Sequence, residues 1–433
     1  MTSVDEQRPE QEDPESTGTE DSAVPESAVR PDVTSGEYVR GYLDRLRAGD
    51  TGLLPVVVGM ILIAIVFQVA SHGDFLTPGN LVGLLQQGAF YMTLAMAAVF
   101  VLLLGEVDLS LGYVAGVGGV VTAVFVSDQG WVWPAACLAG LVATTLIGLL
   151  QGAIIAFLGV PSFVVTLAGF LGWNGVILLI LGNGATIPIQ NNVIFNFDNG
   201  LLSPLVGWIV YVAFAVVYVG AELFKIRTRR AKSLAQQPAA ITIGRVVVVL
   251  LAGLVVILIC NANRGRSLPI RGMPWVVLIV LGVLLAATWL TTRTRFGRYI
   301  YAVGGNAEAA RRAGINLAGV RIAVFGLAGL VAGIGGLLYI SRLASMSTAY
   351  DGGTYVLYAI AAAVIGGTSL FGGRGKLIHG VLGGLVIAGI DNGMGLLSMS
   401  AAQKYVVTAL VLLVAVSLDA VARRGRQGHG IDA

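Results

Sequence analysis

The stretch LVGLLQQGAFYMTLAMAAVFVLLL (81–104) carries no charged side chain from end to end. As a helix it is about 36 Å long, more than the ~30 Å hydrocarbon core of a bilayer. Its apolar residues run continuously and do not alternate, so it reads as a spanning helix and not as a barrel strand. Similar uncharged runs lie on both sides, at 53–70, 134–158, 162–182, 201–221, 273–290 and 322–341. Shorter ones occupy 112–126, 246–260, 355–371, 377–390 and 405–418. The sequence therefore predicts an all-α, polytopic transmembrane helical bundle of 10–12 spans over residues 51–421.

Composition agrees. Of 433 residues, 56% are hydrophobic and 12% are charged, against about 25% charged in a soluble domain. Residues 1–50 form an acidic tail rich in Glu, Pro, Ser and Thr with a short basic lead-in, expected to be disordered. They lack the basic and apolar regions of a secretory signal. Residues 422–433 are a short C-terminal tail. Cys137 and Cys260 both fall in apolar runs and suggest no disulfide framework, and the three histidines show no metal-ligand spacing.

Twelve crossings place the basic residues unevenly. Arg40, Arg45 and Arg47, the connector 225–245, the connector 291–321, Arg374 with Lys376, and Arg423 to Arg426 all fall on one side. That side receives twenty basic residues and the other five, the acidic tail aside. By the positive-inside rule the basic side is cytoplasmic, and both termini with it. Glycines at small-residue spacing, such as Gly326, Gly329, Gly333 and Gly336, suit close helix packing in lipid.

The loop TTRTRFGRYIYAVGGNAEAARRAGINLAGVRI (291–322) is too polar for lipid. Gly304 and Gly305 interrupt it, Asn306 suits an N-cap, and Ala307 to Ala313 reads as a short helix stopped by Gly314. Such a helix suits either a groove on a partner or the headgroup surface. GGTSLFGGRGK (366–376) is not a Walker A, because Leu370 stands where the first glycine belongs and Leu377 where Ser or Thr belongs. No nucleotide motif and no catalytic constellation is legible, so no cofactor is expected on this chain.

Glu308, Ala309 and Ala310, with Gly314 four residues on, resemble the EAA-x-x-x-G signature of ABC importer permeases. GEVDLSLG (105–112), PSFVVTLAG (161–169), AIAAAVIGGTSLFGGRGK (359–376) and DNGMGLL (391–397) are similar, in order, to the ribose, xylose and arabinose class. The extra apolar pair at 201–260 resembles the longer xylose-type members. The resemblance implies a permease subunit of an ATP-driven monosaccharide importer, working by alternating access in the cell membrane. It implies an ATPase subunit that binds the ATP, an extracytoplasmic sugar-binding protein and a second permease copy. It also implies that Asn306, Glu308, Ala309, Ala310, Arg311 and Gly314 form the helix that couples to the ATPase. No nucleic-acid partner is expected.

For the pathway or its gating the candidates are Gln86, Glu106, Asp108, Asn174, Asp391 and Asn392. Gln87, Thr93 and Thr368 are further polar residues in the spans. Polar groups at membrane depth suggest function, and interhelical hydrogen bonds explain any one of them equally well. For Glu106 and Asp108 a structural or gating role is favoured over sugar contact, since Asp108 or Ser110 can cap the next helix. A branched-chain amino acid permease and a gradient-driven secondary sugar transporter are the alternatives. The second of these leaves the coupling loop without a purpose, as does a structural or channel protein.

Overall fold

The structure is a computed structural model. It describes residue 40, residues 54–410 apart from 183, 232–237 and 266, and residues 413 and 417. The acidic tail, the C-terminal tail and Lys232 in the basic connector lie outside the described residues.

Each element begins and ends where local chemistry requires. Helix α1 is Leu54–Ala70. Helix α2, Pro78–Leu103, starts on a proline, whose missing N–H costs nothing in a first turn. Helix α3, Leu111–Ala123, continues as a π-helical turn, Val124–Asp128. Helix α4, Trp133–Leu158, ends at Gly159 in the left-handed region, φ 67°. Helix α5 is Ser162–Leu181. A short strand β1, Thr186–Pro188, precedes α6, Asn192–Asn199, which Asn191 caps. Two long helices follow, α7 (Pro204–Ala231) and α8 (Ala239–Asn261), then α9 (Trp275–Arg293), α10 (Arg295–Gly305) and α11 (Ala307–Arg312). Helix α12, Leu317–Leu343, is capped by Asn316. Strand β2 (Ser345–Ser347), α13 (Gly352–Ile365, capped by Asp351) and α14 (Leu377–Leu396) follow. Residues 401–410 are again helical.

Among the described residues nine helices are long and apolar enough to cross a membrane, and α1 and α13 are shorter apolar helices. With the segment from 401 onward these make the 10–12 predicted spans. The boundaries differ most at α7, which continues ten residues beyond the apolar run into Lys225, Arg227, Arg229 and Arg230. Long basic side chains are good helix formers, and loss of hydrophobicity does not end a helix. Helix α10 was also not anticipated. It is amphipathic, with Ile300 and Val303 buried and basic residues outward, and Thr294 accepts a capping bond from the Gly297 N–H.

The bundle is built round α2, against which α12, α13 and α14 pack. Its middle residues, Leu94 through Leu103, are essentially inaccessible. A second seam joins α3, α4 and α12. There a Cβ on Gly148 would run into the Phe325 carbonyl, one on Gly329 into the Thr144 carbonyl, and one on Gly336 into the Ala115 carbonyl. The predicted close packing is thus backbone against backbone at Gly329 and Gly336, a distance only glycine allows, whereas Gly326 makes room for the Leu149 side chain and Gly333 for that of Thr144. Helices α7 and α8 form a peripheral hairpin that reaches the bundle mainly where α8 meets α2. Its small core joins Val82, Ile257, Cys260 and Met273.

The connectors gather at two ends. Residues 104–110, 294–316 and 366–376 meet at one, the end that carries α11. At the other, β1 pairs antiparallel with β2, and Ser341 and Arg342 at the close of α12 bond α6.

Candidate functional site

The end at which these connectors meet is organised by α11. Asn306 Oδ1 accepts the Ala309 N–H at 2.9 Å, a cap worth about 1 kcal/mol. At the other terminus Ile315 N–H bonds the Ala310 carbonyl and Gly314 N–H bonds the Arg311 carbonyl. That pair of bonds is the Schellman ending, and Gly314 supplies its left-handed residue at φ 80°. Ala310 is buried, whereas Glu308, Arg311 and Arg312 face outward. Glu308 pairs with Arg311 at 2.8 Å and Arg312 at 3.2 Å on its own helix. Exposed pairs of this kind add only about 0.3–0.5 kcal/mol each, so they leave the charges accessible to a partner.

Three glycine segments then close on one another. Gly373 N–H donates to the Leu103 carbonyl at 2.9 Å. A Cβ on Gly304 would run into that same carbonyl oxygen, and one on Gly105 would lie 3.1 Å from the Phe371 carbonyl oxygen. Tyr301 donates to the Gly375 carbonyl at 2.8 Å. The end of α2, the end of α10 and the 366–376 turn thus form one glycine knot directly beneath the short helix.

GEVDLS belongs to this end. Glu106 pairs with Arg321 of α12 at 3.1 Å. Val107 N–H donates to Ser162 Oγ at 3.3 Å, and its carbonyl accepts from Thr166. Asp108 accepts from the Ser110 N–H at 2.8 Å and the Ser110 hydroxyl at 2.7 Å. Ser110 in turn meets Gln151 of α4. Burial pushes the Asp108 carboxyl up to about 6, against the opposing bonds from Ser110. The structure thus gives Glu106 and Asp108 structural partners. Gln151, buried in an apolar run, escaped the sequence reading although a lone amide at that depth was a usable signal.

At the opposite end Asp391 accepts from Gln87 Nε2 at 2.5 Å and from Tyr91 at 2.8 Å, and Lys404 stands 3.6 Å away. Asn392 accepts from Asn80 at 2.8 Å. Gln87, Asp391, Asn392, Gly395, Leu396 and Lys404 line an open cleft. Beside it lies an aromatic group that the sequence reading missed. Tyr91 meets Tyr358 edge-on at 5.5 Å, Phe90 meets Tyr355 at 4.9 Å, and Tyr339 meets Tyr350 at 4.7 Å. The run Tyr350, Tyr355 and Tyr358 in an Ala- and Gly-rich segment was its visible trace.

The other candidates stand apart. Gln86 donates to the Asp198 carbonyl at 2.8 Å and so ties α2 to α6. Asn174 is half-buried on α5, which packs on α3 and α4. Thr93 bonds the Ala89 carbonyl of its own helix, and the Thr368 hydroxyl is buried without a partner among the described residues. Burial pushes Asp198 up to about 7, although Arg342 opposes it.

The family model described as branched-chain amino acid transport system / permease component matches residues 80–416. The chain belongs to this permease family. The permease is also 34% identical over 384 residues to the xylose transport system permease protein XylH of Escherichia coli strain K12, covering 89% of this chain and 95% of that one. The Haemophilus influenzae XylH is 35% identical over 370 residues, covering 84% and 96%. The ribose import permease protein RbsC of E. coli strain K12 is 32% identical over 360 residues, covering 83% and 91%. No solved structure matches the permease. It is a multi-pass membrane protein of helical architecture, and the resemblance to sugar permeases drawn from its motifs holds.

Proposed function

We propose that this chain is the membrane-spanning subunit of an ATP-driven monosaccharide importer that carries xylose or a related pentose. One observation supports it most strongly. The Asn306–Gly314 segment is a capped, abruptly ended helix that buries Ala310 but exposes Glu308, Arg311 and Arg312, next to the glycine knot of the α2 end, the α10 end and the 366–376 turn. A separate ATPase subunit grips this helix from the cytoplasm, and an extracytoplasmic protein delivers sugar to the opposite end. A second copy of the chain completes the pathway. ATP binding draws the ATPases together, the short helices move with them, and access alternates between the two ends. The sugar class rests on the likeness to the xylose and ribose permeases, which outweighs the amino acid wording of the family description because it covers more of the chain.

The test is Glu308→Lys beside Gly314→Val. The first reverses the charge that holds Arg311 and Arg312. The second forces a β-branched residue into φ 80°, a conformation it resists strongly. Both variants are expected to insert normally and to lose uptake of labelled xylose, while the binding protein still binds sugar. Normal uptake by both, with the ATPase still co-purifying, removes the coupling assignment.

A further inference from the structure

We infer that the cleft around Asp391 is a receiving site for a neutral polyol, at which sugar hydroxyls replace donors that the protein supplies to itself. The inference rests on the importer reading and specifies where in that importer the sugar is first held. Three separate elements meet there: α2 gives Asn80, Gln87 and Tyr91, α14 gives Asp391 and Asn392, and the helix at 401–410 gives Lys404.

The chemistry fits a ring of hydroxyls. Asp391 is an acceptor engaged by one amide N–H and one phenol, with an ammonium 3.6 Å off. Each of these donors can be exchanged for a sugar O–H at little net cost, since one hydrogen bond replaces another. Asn392 and Gln87 offer both donor and acceptor groups, which a hydroxyl can satisfy in either sense. Asp391 also lines a second, smaller cavity with Tyr358, Ile387, Ile390, Met394 and Thr408. The carboxylate therefore stands between a polar cleft and a small apolar recess edged by the Tyr358 ring. A sugar has the same two faces, hydroxyl edges and a C–H face.

The charges do not favour a charged ligand. Asp391 and Lys404 already neutralise one another, and the remaining groups are three amides and phenol rings. A net ionic cargo would have to break that pair, whereas a neutral one enters beside it. The site is at the end opposite the coupling helix, where Gln86, the neighbour of Gln87, bonds α6.

The test uses the assembled transporter in proteoliposomes with its ATPase and binding protein. In a Leu396→Cys chain, whose new thiol lies on the exposed wall of the cleft, the native Cys137 and Cys260 are buried and stay silent to a membrane-impermeant maleimide. Saturating xylose or ribose should slow labelling of the new cysteine several-fold, and leucine should not. Asp391→Asn should abolish this protection and cut uptake about tenfold, the loss expected for a charge-assisted bond. In the unsubstituted assembly, ATP hydrolysis stimulated by the binding protein tests the importer reading by itself, which separates failure of this site from failure of that reading. If Asp391→Asn does not assemble, Gln87→Leu must show the same loss of protection. The inference is overturned if xylose and ribose give no protection, if the substituted chain imports sugar at the original rate, or if leucine alone protects. The last result would also overturn the sugar reading.

Discussion

Gly304→Ala is the most searching perturbation of the glycine knot. The added methyl would overlap the Leu103 carbonyl oxygen and stand 2.8 Å from the Gly373 nitrogen, the two atoms that form the knot's central hydrogen bond. Both are backbone atoms, so no side chain can swing aside. Overpacking of this kind costs about 1–3 kcal/mol, and a buried N–H and carbonyl pulled apart add about 1–3 kcal/mol more. Alanine returns up to about 1 kcal/mol as a better helix former than glycine. The balance, roughly 1–5 kcal/mol, is enough to open the knot in most molecules if the closed form is favoured by no more than this. The neighbouring Gly305→Ala is the control, because a Cβ there meets nothing within 4 Å. Both substitutions leave the caps of α11 untouched, so the ATPase should co-purify with each. Labelled-xylose uptake into proteoliposomes should fall at least tenfold for Gly304→Ala, corresponding to about 1.4 kcal/mol, and stay near the original for Gly305→Ala. Equal transport by the two variants would refute the knot as a mechanical joint.

Three further outcomes are expected. Asp108 is held up at about 6 from an ordinary 3.8, so between these values the folded chain keeps a proton that the unfolded chain releases, and stability falls as pH rises. The cost at pH 7 is roughly 3 kcal/mol; Asp108→Asn should flatten the melting temperature between pH 4 and 7 in detergent, and a slope unchanged from the parent would contradict the burial argument. Gly329→Val should push α12 off the Thr144 carbonyl and destabilise the chain by about 3 kcal/mol, while Gly172→Ala, with open space beside it, should melt like the parent. In intact cells a cysteine at Ala307 should resist a membrane-impermeant thiol reagent and one at Gln190 should react; the reverse pattern would invert the orientation.

Most of the bundle was legible because membrane helices are specified by uninterrupted hydrophobicity, which a single sequence displays directly. Runs such as 134–158 and 162–182 fall within a residue of α4 and α5. The short helix α11 was legible for a different reason: its Asn cap and Gly stop are local rules, and Asn306 and Gly314 obey them. The knot was not legible. Gly105, Gly304 and Gly373 are far apart in the chain, and each alone looks like an ordinary loop glycine. The Asp391 cleft was partly legible, since Asp391 and Asn392 were conspicuous in a span, but nothing local shows that Gln87 and Tyr91 meet Asp391 while Gln86 turns to α6. Helix face decides that, and in a run apolar on every side there is no amphipathic pattern to reveal the face.

The route between the two ends follows from α12. This helix is 27 residues long, about 40 Å, and it begins three residues after Gly314. Arg321, in its second turn, pairs with Glu106 beside the knot. Its last turn places Ser341 on the Asp198 N–H at 2.8 Å and Arg342 on the Asp198 carboxylate at 3.3 Å. Asp198 accepts through its carbonyl from Gln86, one residue from the Gln87 that holds Asp391. Along the α4 seam Gly148 and Gly329 bring backbone against backbone, while the Thr144 side chain reaches in at Gly333 and that of Leu149 at Gly326. Helices packed this closely move past one another only by small sliding displacements. On the proposed importer reading, displacement of the short helix is expected to reach Asp198 through α12 and Asp391 through Gln86 and Gln87 of α2, which would let the proposed sugar cleft respond without any contact between the two sites.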